Sequence, residues 1–238
     1  MMFAFLLVGC DLINTGDNDE AGSDSLEVNQ EQSQTKMNEL GSNDGYLIKF
    51  EYTSQSDDEE PESGSMTVGV KDNVRWVIED SNNGGCIKVD GNVIHSYSYT
   101  DGAFVYESSY ENEELAKAYL EVFVNAYTSW LYYANAFDGS LKKGADTTVC
   151  GRACYTYTFD MNNFMGGMVP GIVAGLVKGL KLEYKVAVDK EYGITMRLDF
   201  VGEAEGDSAQ FSYLVTEFKT GSDVLLPTLP EPTPSNED

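Results

Sequence analysis

The chain has 238 residues, enough for one large domain or two small ones. Its 15 basic and 40 acidic residues give a formal net charge of −25, and a field of that sign repels nucleic-acid phosphates, so the composition excludes nucleic-acid binding. Hydrophobic residues make up 42% of the chain, too many for a disordered protein, and the single histidine, His95, leaves little scope for histidine-dependent catalysis.

The first ten residues have the pattern of the end of an export signal. The apolar stretch before Cys10 is far shorter than the roughly 20 residues of a membrane-spanning helix. Leu7-Val8-Gly9-Cys10 resembles the lipobox of bacterial lipoproteins, which implies cleavage before Cys10 and a lipid anchor on that residue. The alternative is a buried strand with a free thiol. Because export signals open with basic residues and the first base here is Lys36, we expect the natural start to lie upstream.

Both flanks of the folded region are polar or rich in proline. Residues 11–43 carry many acidic and few apolar side chains, so they predict a disordered, self-repelling tether. Residues 227–238 form a proline-rich acidic tail. The folded domain is therefore expected over residues 44–226, with residues 1–10 as the remnant of the signal.

Alternating apolar and polar residues then predict a run of strands joined by tight turns. Asp72-Asn73, Asp90-Gly91 and Asp101-Gly102 are turn signals between neighbouring strands. The run indicates an antiparallel meander, with strands at 46–53, 65–70, 74–79, 86–89, 92–99 and 103–106.

The apolar period changes at Glu111, where residues 111–137 predict a long helix. Acidic residues at its start suit the helix dipole. Its apolar stripe favours either a core contact or the lining of a ligand cavity. The stripe comprises Leu115, Tyr119, Val122, Phe123, Ala126, Trp130 and Ala134, and we expect it to pack on the concave face of the sheet.

Residues 161–180 carry glycines at every fourth position, Gly167, Gly171, Gly175 and Gly179. Each glycine costs a helix about 1 kcal/mol against alanine, so such a helix needs packing to hold it. Residues 161–180 are either a helix buried against the sheet or a mobile apolar lid that contacts a membrane or an apolar ligand. Strands are predicted before it, at 146–150 and 153–159, and after it, at 181–189, 194–202 and 209–220.

Three cysteines follow Cys10. In an exported protein they indicate one disulfide and one free thiol. A turn could join Cys150 to Cys154, which is the pairing we predict, although Cys86 could pair with either on sequence alone. The sequence shows no spacing typical of a metal site, cofactor or catalytic nucleophile, so we expect none of these.

The order of these elements resembles the LolA/LolB lipoprotein carriers. The resemblance rests on the lipobox, the acidic tether, the strands through Trp76, the long helix, the Gly151-x-x-Cys154-x-x-Tyr157 stretch and the closing strands. It implies an α+β fold in which a curved antiparallel sheet, an incomplete β-barrel, is covered by helices on its concave face. It also implies an apolar hollow for acyl chains, for which we expect the lining residues Tyr119, Phe123, Trp130, Phe164, Met168, Ile172 and Leu176.

The sequence therefore predicts a non-enzymatic lipoprotein of the bacterial cell envelope, anchored to the outer face of a membrane through Cys10. We expect a monomer that binds a lipid or acyl chain. The alternative is a sensor or interaction scaffold with a closed core and no ligand.

Overall fold

The computed structural model describes residues 30–57, 60–79, 83–128, 141–160, 181–204 and 207–232. Twelve antiparallel strands form one sheet, with the short strand β8 branching onto β9. Along the sheet the order is β6-β5-β4-β3-β2-β1-β12-β11-β10-β9-β7, so β6 and β7 lie at opposite edges and the sheet is open. The strands are β1 (Tyr46–Ser56), β2 (Glu62–Lys71), β3 (Val74–Glu79), β4 (Asn83–Asp90), β5 (Val93–Thr100), β6 (Ala103–Glu111), β7 (Leu141–Lys143), β8 (Thr147–Val149), β9 (Arg152–Asp160), β10 (Lys181–Asp189), β11 (Thr195–Ala204) and β12 (Asp207–Thr220).

Two-residue turns set the register of β2 with β3, of β4 with β5 and of β5 with β6. At Asp101-Gly102 both residues have positive φ, 53° and 82°, the geometry that matches the twist of a hairpin. Asp72 also has positive φ, so the turn predicted between β2 and β3 is present. The predicted α+β class is confirmed, with an open antiparallel sheet and, in the described part of the chain, two α-helices.

Alternation along the strands gives the sheet two distinct faces. The helix-side face carries Tyr46 and Ile48 of β1 with Val70 of β2, and it contacts both helices. The outer face carries Leu47 of β1 and Trp76 of β3. Each face buries its own apolar cluster, so both faces of the sheet are partly covered over β1 to β5.

Helix α1 (Gln30–Asn43) corrects the predicted tether in its last part. Met37 and Leu40 are buried against the sheet, and the Lys36 ammonium donates to the Glu191 carbonyl at 2.9 Å. The polar composition concealed this helix because its apolar side is narrow, and a helix of this length is stabilised mainly by packing. Residues 11–29 lie outside the described part of the chain.

Helix α2 (Glu113–Thr128) confirms the start of the predicted 111–137 helix; residues 129–137 lie outside the described ranges. The Asn112 side chain accepts a hydrogen bond from the Leu115 amide at 2.9 Å and so caps the first turn. Ala116 is buried against Val89 and Ile94, whereas Leu115 of the predicted stripe is exposed. Within the described residues, no helix is both long and apolar enough to cross a membrane.

Residues 221–232, which we call the strap, lie on the outer face. The strap begins with a 3₁₀ turn at Gly221–Asp223 directly after β12. Val224 is fully buried in the outer apolar cluster, and Leu229 packs against the same cluster. The packed structure thus continues past residue 226, where the sequence placed the end of the domain, because a proline-rich segment can lie on a sheet without joining its hydrogen bonds.

Candidate functional site

A hollow of about 370 Å³ lies against β3, β4 and β5. Its volume falls in the range of about 300–1,000 Å³ that is usual for small-molecule sites. Most of its side chains belong to the helix-side face, as the strand register shows. The lining residues are Val77, Gly84, Gly85, Cys86, Ile87, Ser96, Tyr97, Ser98 and Glu107.

Small residues create this hollow. Gly85 pairs with Ser98 across β4 and β5, so a side chain is missing on one strand and short on the other. A Cβ atom on Gly85 would lie 3.4 Å from the Tyr97 carbonyl oxygen, an ordinary contact. At Gly84 the same atom would lie 2.2 Å from the Val77 carbonyl oxygen and would force the backbone to move. Gly85 is therefore the position where added volume can enter the hollow.

Apolar groups border the hollow on the side of α2. Ile87 lines the hollow and also packs against the buried cluster of Val89, Ile94 and Ala116, against which Tyr119 and Leu120 of α2 pack as well. The Tyr110 hydroxyl donates to the Tyr119 hydroxyl at 3.4 Å, and this hydrogen bond, with burial, raises the pKa of Tyr110 to about 12. The bond links α2 to β6.

Aromatic rings continue the helix-side face on the other half of the sheet. Tyr184 and Phe200 have ring centroids 4.8 Å apart, and Phe50 lies 5.6 Å from Tyr213. Burial raises the pKa of Tyr184 and, more strongly, that of Tyr213, whose hydroxyl donates to the Thr195 carbonyl at 3.1 Å. The half-buried rings of Phe50, Tyr184 and Phe200 extend the apolar character of this face beyond the hollow.

The predicted ligand residues stay a prediction. Tyr119 is half-buried and packs against the cluster of Val89, Ile94 and Ala116, and it is not among the residues that line the hollow. Phe123 belongs to α2, but its side chain is outside the described ones. Trp130, Phe164, Met168, Ile172, Leu176 and the lipidation residue Cys10 all lie outside the described ranges.

Sequence reasoning missed Gly85, Ser96 and Ser98. The sequence signal for them was incomplete, because the predicted Asp90-Gly91 turn lies one residue before the observed Gly91-Asn92 turn. Counting from the predicted turn would set Ile87 opposite Ile94, whereas the structure sets Ile87 opposite Ser96 and Gly85 opposite Ser98 on one face. A run of small residues on one face of two paired strands predicts a gap in the layer above them.

Among the described residues, Cys86, Cys150 and Cys154 are free thiols, so the predicted Cys150–Cys154 disulfide is not formed in this structure and stays a prediction. Cys150 forms the turn between β8 and β9 with Gly151 and is exposed. Cys154 pairs with Thr147 across that hairpin and is buried, with its thiol donating to the Arg152 carbonyl at 3.4 Å. The two thiols therefore differ in exposure, with Cys150 at the turn and Cys154 in the core.

The thiols should differ sharply in reactivity. Burial raises the pKa of Cys86 to about 12, so almost none is thiolate at neutral pH, whereas Cys150 is exposed. We expect iodoacetamide at pH 8 to modify Cys150 at least about tenfold faster than Cys86. Peptide mapping by mass spectrometry after timed quenching measures both rates, and equal rates would contradict the buried position of Cys86.

His95 has partners that the sequence did not reveal. Its Nδ1 lies 2.5 Å from the Ser109 hydroxyl, and its Nε2 lies 3.4 Å from Asp90. Asp90 also binds Lys88 at 2.8 Å, and the Ser109 hydroxyl also contacts the Tyr106 hydroxyl at 2.8 Å. These groups resemble a catalytic triad in type, but their hydrogen bonds join β4, β5 and β6, and we assign them to holding those strands. Among the described side chains, no cluster of three or more metal-ligating residues is present.

Comparison with protein-family models and with curated proteins finds no match. Solved structures do match, all at low similarity. LprF from Mycobacterium bovis matches with 12% identity and a TM-score of 0.35 over 83% of this chain and 95% of that one. A LolA superfamily protein from Nitrosomonas europaea matches with 12% identity and a TM-score of 0.26 over 85% and 96%.

MucB also matches, with 11% identity and a TM-score of 0.33 over 81% of this chain. The chain spans only 58% of the length of MucB. The matched structures therefore include the superfamily that the sequence resembles. At such TM-scores the similarity adds no argument about activity, which has to come from the geometry of this chain.

Proposed function

We propose that this protein is an anchored extracytoplasmic lipoprotein that binds an apolar ligand, such as a lipid or acyl chain, on the helix-side face of its sheet. The hollow of about 370 Å³ against β3, β4 and β5 supports this proposal most directly. Val77 and Ile87 supply apolar walls, and Gly85 leaves the space. An apolar ligand in that space gains free energy by leaving water.

Charge favours an apolar tail or a neutral molecule over a free anion. The chain carries a net charge of −25, and Glu107 lines the hollow. Ser96 and Ser98 add hydroxyl groups that can donate to a ligand carbonyl or ester oxygen. We therefore place the apolar part of the ligand against Val77 and Ile87 and its polar end beside the serines.

Native mass spectrometry tests this proposal on the Cys10→Ser chain, purified without detergent from an export-competent host. We expect a discrete added mass that extracts into organic solvent, together with saturable uptake of a dansyl-labelled fatty acid. A bare polypeptide mass with no uptake would reject ligand binding and favour the interaction scaffold.

The anchor is a separate part of the proposal and rests on the lipobox alone. We expect the full chain with its export signal to partition into the detergent phase of Triton X-114 and to incorporate radiolabelled palmitate. Cys10→Ser should lose the label and move to the aqueous phase, because Cys10 supplies the acylated sulfur. Cys150→Ser is the matched control and should behave like the unmodified chain; label retained in Cys10→Ser would contradict the anchor.

A further inference from the structure

The outer face holds an extended peptide segment in an aromatic groove. The strap begins after β12 at Gly221, whose φ is 65°. Val224 is fully buried and is the first strap residue that holds it against the sheet. Leu229 is the second anchor. We call the surface beneath these two residues the outer groove; its side chains are Leu47, Val74, Trp76, Ile78, Cys86, Tyr97, Tyr99, Phe104 and Tyr106.

The composition of the strap suits such a groove. Pro227, Pro230 and Pro232 fix φ near −65° and favour the polyproline II conformation, which has no internal hydrogen bonds. Peptides in this conformation are recognised by aromatic-lined grooves, because little conformational entropy is lost on binding. The outer groove offers this chemistry: Tyr97 and Tyr106 have centroids 5.7 Å apart, and Tyr99 and Phe104 have centroids 4.9 Å apart.

Two lysine side chains place positive charge beside the strap, although the chain as a whole is strongly acidic. The Lys71 ammonium donates to the carbonyl oxygens of Gly221 at 3.2 Å and Val224 at 2.7 Å. Lys88 lies on the outer face of β4, where its hydrogen bond to Asp90 raises its pKa most and Glu231 of the strap adds a smaller favourable charge. The groove therefore buries Val224 and Leu229, Lys71 binds two backbone carbonyls of the strap, and Glu231 lies near enough to Lys88 for their charges to attract.

The second half of the strap is held less firmly than the first. Val224 is fully buried, but Leu225 and Leu226 are 78% and 46% exposed. Beyond them the anchors are Leu229, which is half-buried, and the charge of Glu231. A segment with so few anchors remains bound chiefly because its covalent link keeps its local concentration high, and a competing peptide can replace it.

We propose that the outer groove is a binding site for an extended, proline-rich peptide of a partner protein that carries a leucine two residues before an acidic residue. The strap occupies this site in the free chain, and the partner peptide displaces it beyond Leu226. The site lies on the opposite face from the hollow, so it does not depend on the proposed ligand function.

A synthetic peptide of residues 226–234 tests the proposal on the full chain. Leu229→Asp with Glu231→Lys weakens the strap while leaving Val224 and the sheet unchanged. We expect the peptide to bind this variant at least tenfold more tightly than the native chain, measured by fluorescence anisotropy of a labelled peptide. Peptide binding should also slow the alkylation of Cys86, which lies in the groove, while Cys150 remains unaffected.

Two further variants establish whether the peptide binds in the outer groove itself. A peptide carrying the same two substitutions should lose binding at least tenfold, and Leu229→Ala alone should give an intermediate effect if the double variant unfolds. The proposal is overturned by equal or absent peptide binding to native and weakened chains. It is also overturned if sedimentation shows that native chains exchange their straps to form dimers, because the occupant would then be a second copy.

Discussion

Gly85→Leu is expected to reduce fatty-acid binding by at least about tenfold, equivalent to ~1.4 kcal/mol. Gly85 faces the hollow, and a side chain there meets an ordinary contact with the Tyr97 carbonyl, so leucine fills ligand space without moving the backbone. Leucine also suits a strand better than glycine, so the thermal midpoint should stay the same or rise. Titration with the dansyl-labelled fatty acid, alongside circular dichroism, measures both effects.

Ser63→Leu is the matched control for this prediction. Ser63 is exposed near the start of β2, so the same side chain is added to a strand away from the hollow. Binding by Ser63→Leu should equal that of the native chain. Native affinity in a folded Gly85→Leu variant would move the ligand site elsewhere, whereas no binding by the native chain would reject the function itself.

Asp189→Ala is expected to lower the free energy of unfolding by about 3–5 kcal/mol, because it removes the buried partner of the Arg152 guanidinium and leaves only the exposed Glu191 carboxylate. Asp189 is 1% exposed and accepts hydrogen bonds from Arg152 Nε at 2.6 Å and Nη2 at 3.1 Å. It also accepts the backbone amides of Glu191 and Tyr192, at 3.0 and 2.7 Å. Burial alone would lower the pKa of Arg152. Hydrogen bonds to the carboxylates of Asp189 and Glu191 outweigh this effect and raise that pKa.

Packing of the guanidinium adds to this effect. The Arg152 carbon Cζ lies 4.9 Å from the ring centre of Tyr192 and 4.7 Å from that of Phe218, so one cation joins β9, the β10–β11 turn and β12. Losing Asp189 therefore loosens three elements together. Urea unfolding followed by circular dichroism measures the change, with a thermal midpoint expected to fall by roughly 10 °C.

Asp199→Asn is the control for the buried ion pair. Asp199 accepts a similar two-pronged hydrogen bond from Arg197, at 2.9 and 3.3 Å, but that arginine is half exposed. An exposed pair contributes about 0–1 kcal/mol, so the loss should be small. Equal losses in the two variants would show that burial of Asp189 does not matter to stability.

The proposed ligand site and the proposed peptide site lie on opposite faces of the sheet. The helix-side face carries the hollow with Gly85, and the outer face carries the groove around Trp76. Gly69 shows how closely the outer face is packed: a Cβ atom there would lie 2.0 Å from the Trp76 ring. A glycine is needed at that position so that the indole can lie flat against β2.

Local sequence determined the strands and the turns between them. Alternating residues and the Asp101-Gly102 signal predicted the meander correctly, because side-chain period and positive φ are properties of a few neighbouring residues. The same holds for the start of α2, where Asn112 caps a helix that acidic residues favour. The turn predicted at Asp90-Gly91 is present one residue further on, at Gly91-Asn92.

Contacts between distant residues decided the rest. Helix α1 exists because Met37 and Leu40 meet Tyr46 and Val70, and the strap lies on the sheet because Val224 and Leu229 find the Trp76 cluster. The polar composition of α1 and the prolines of the strap gave no sign of this packing in the sequence. Neither segment can bury apolar surface until the sheet is present. The hollow beside Gly85 likewise arises only when β4 and β5 pair, because an empty space is a property of several elements together and no single residue encodes it.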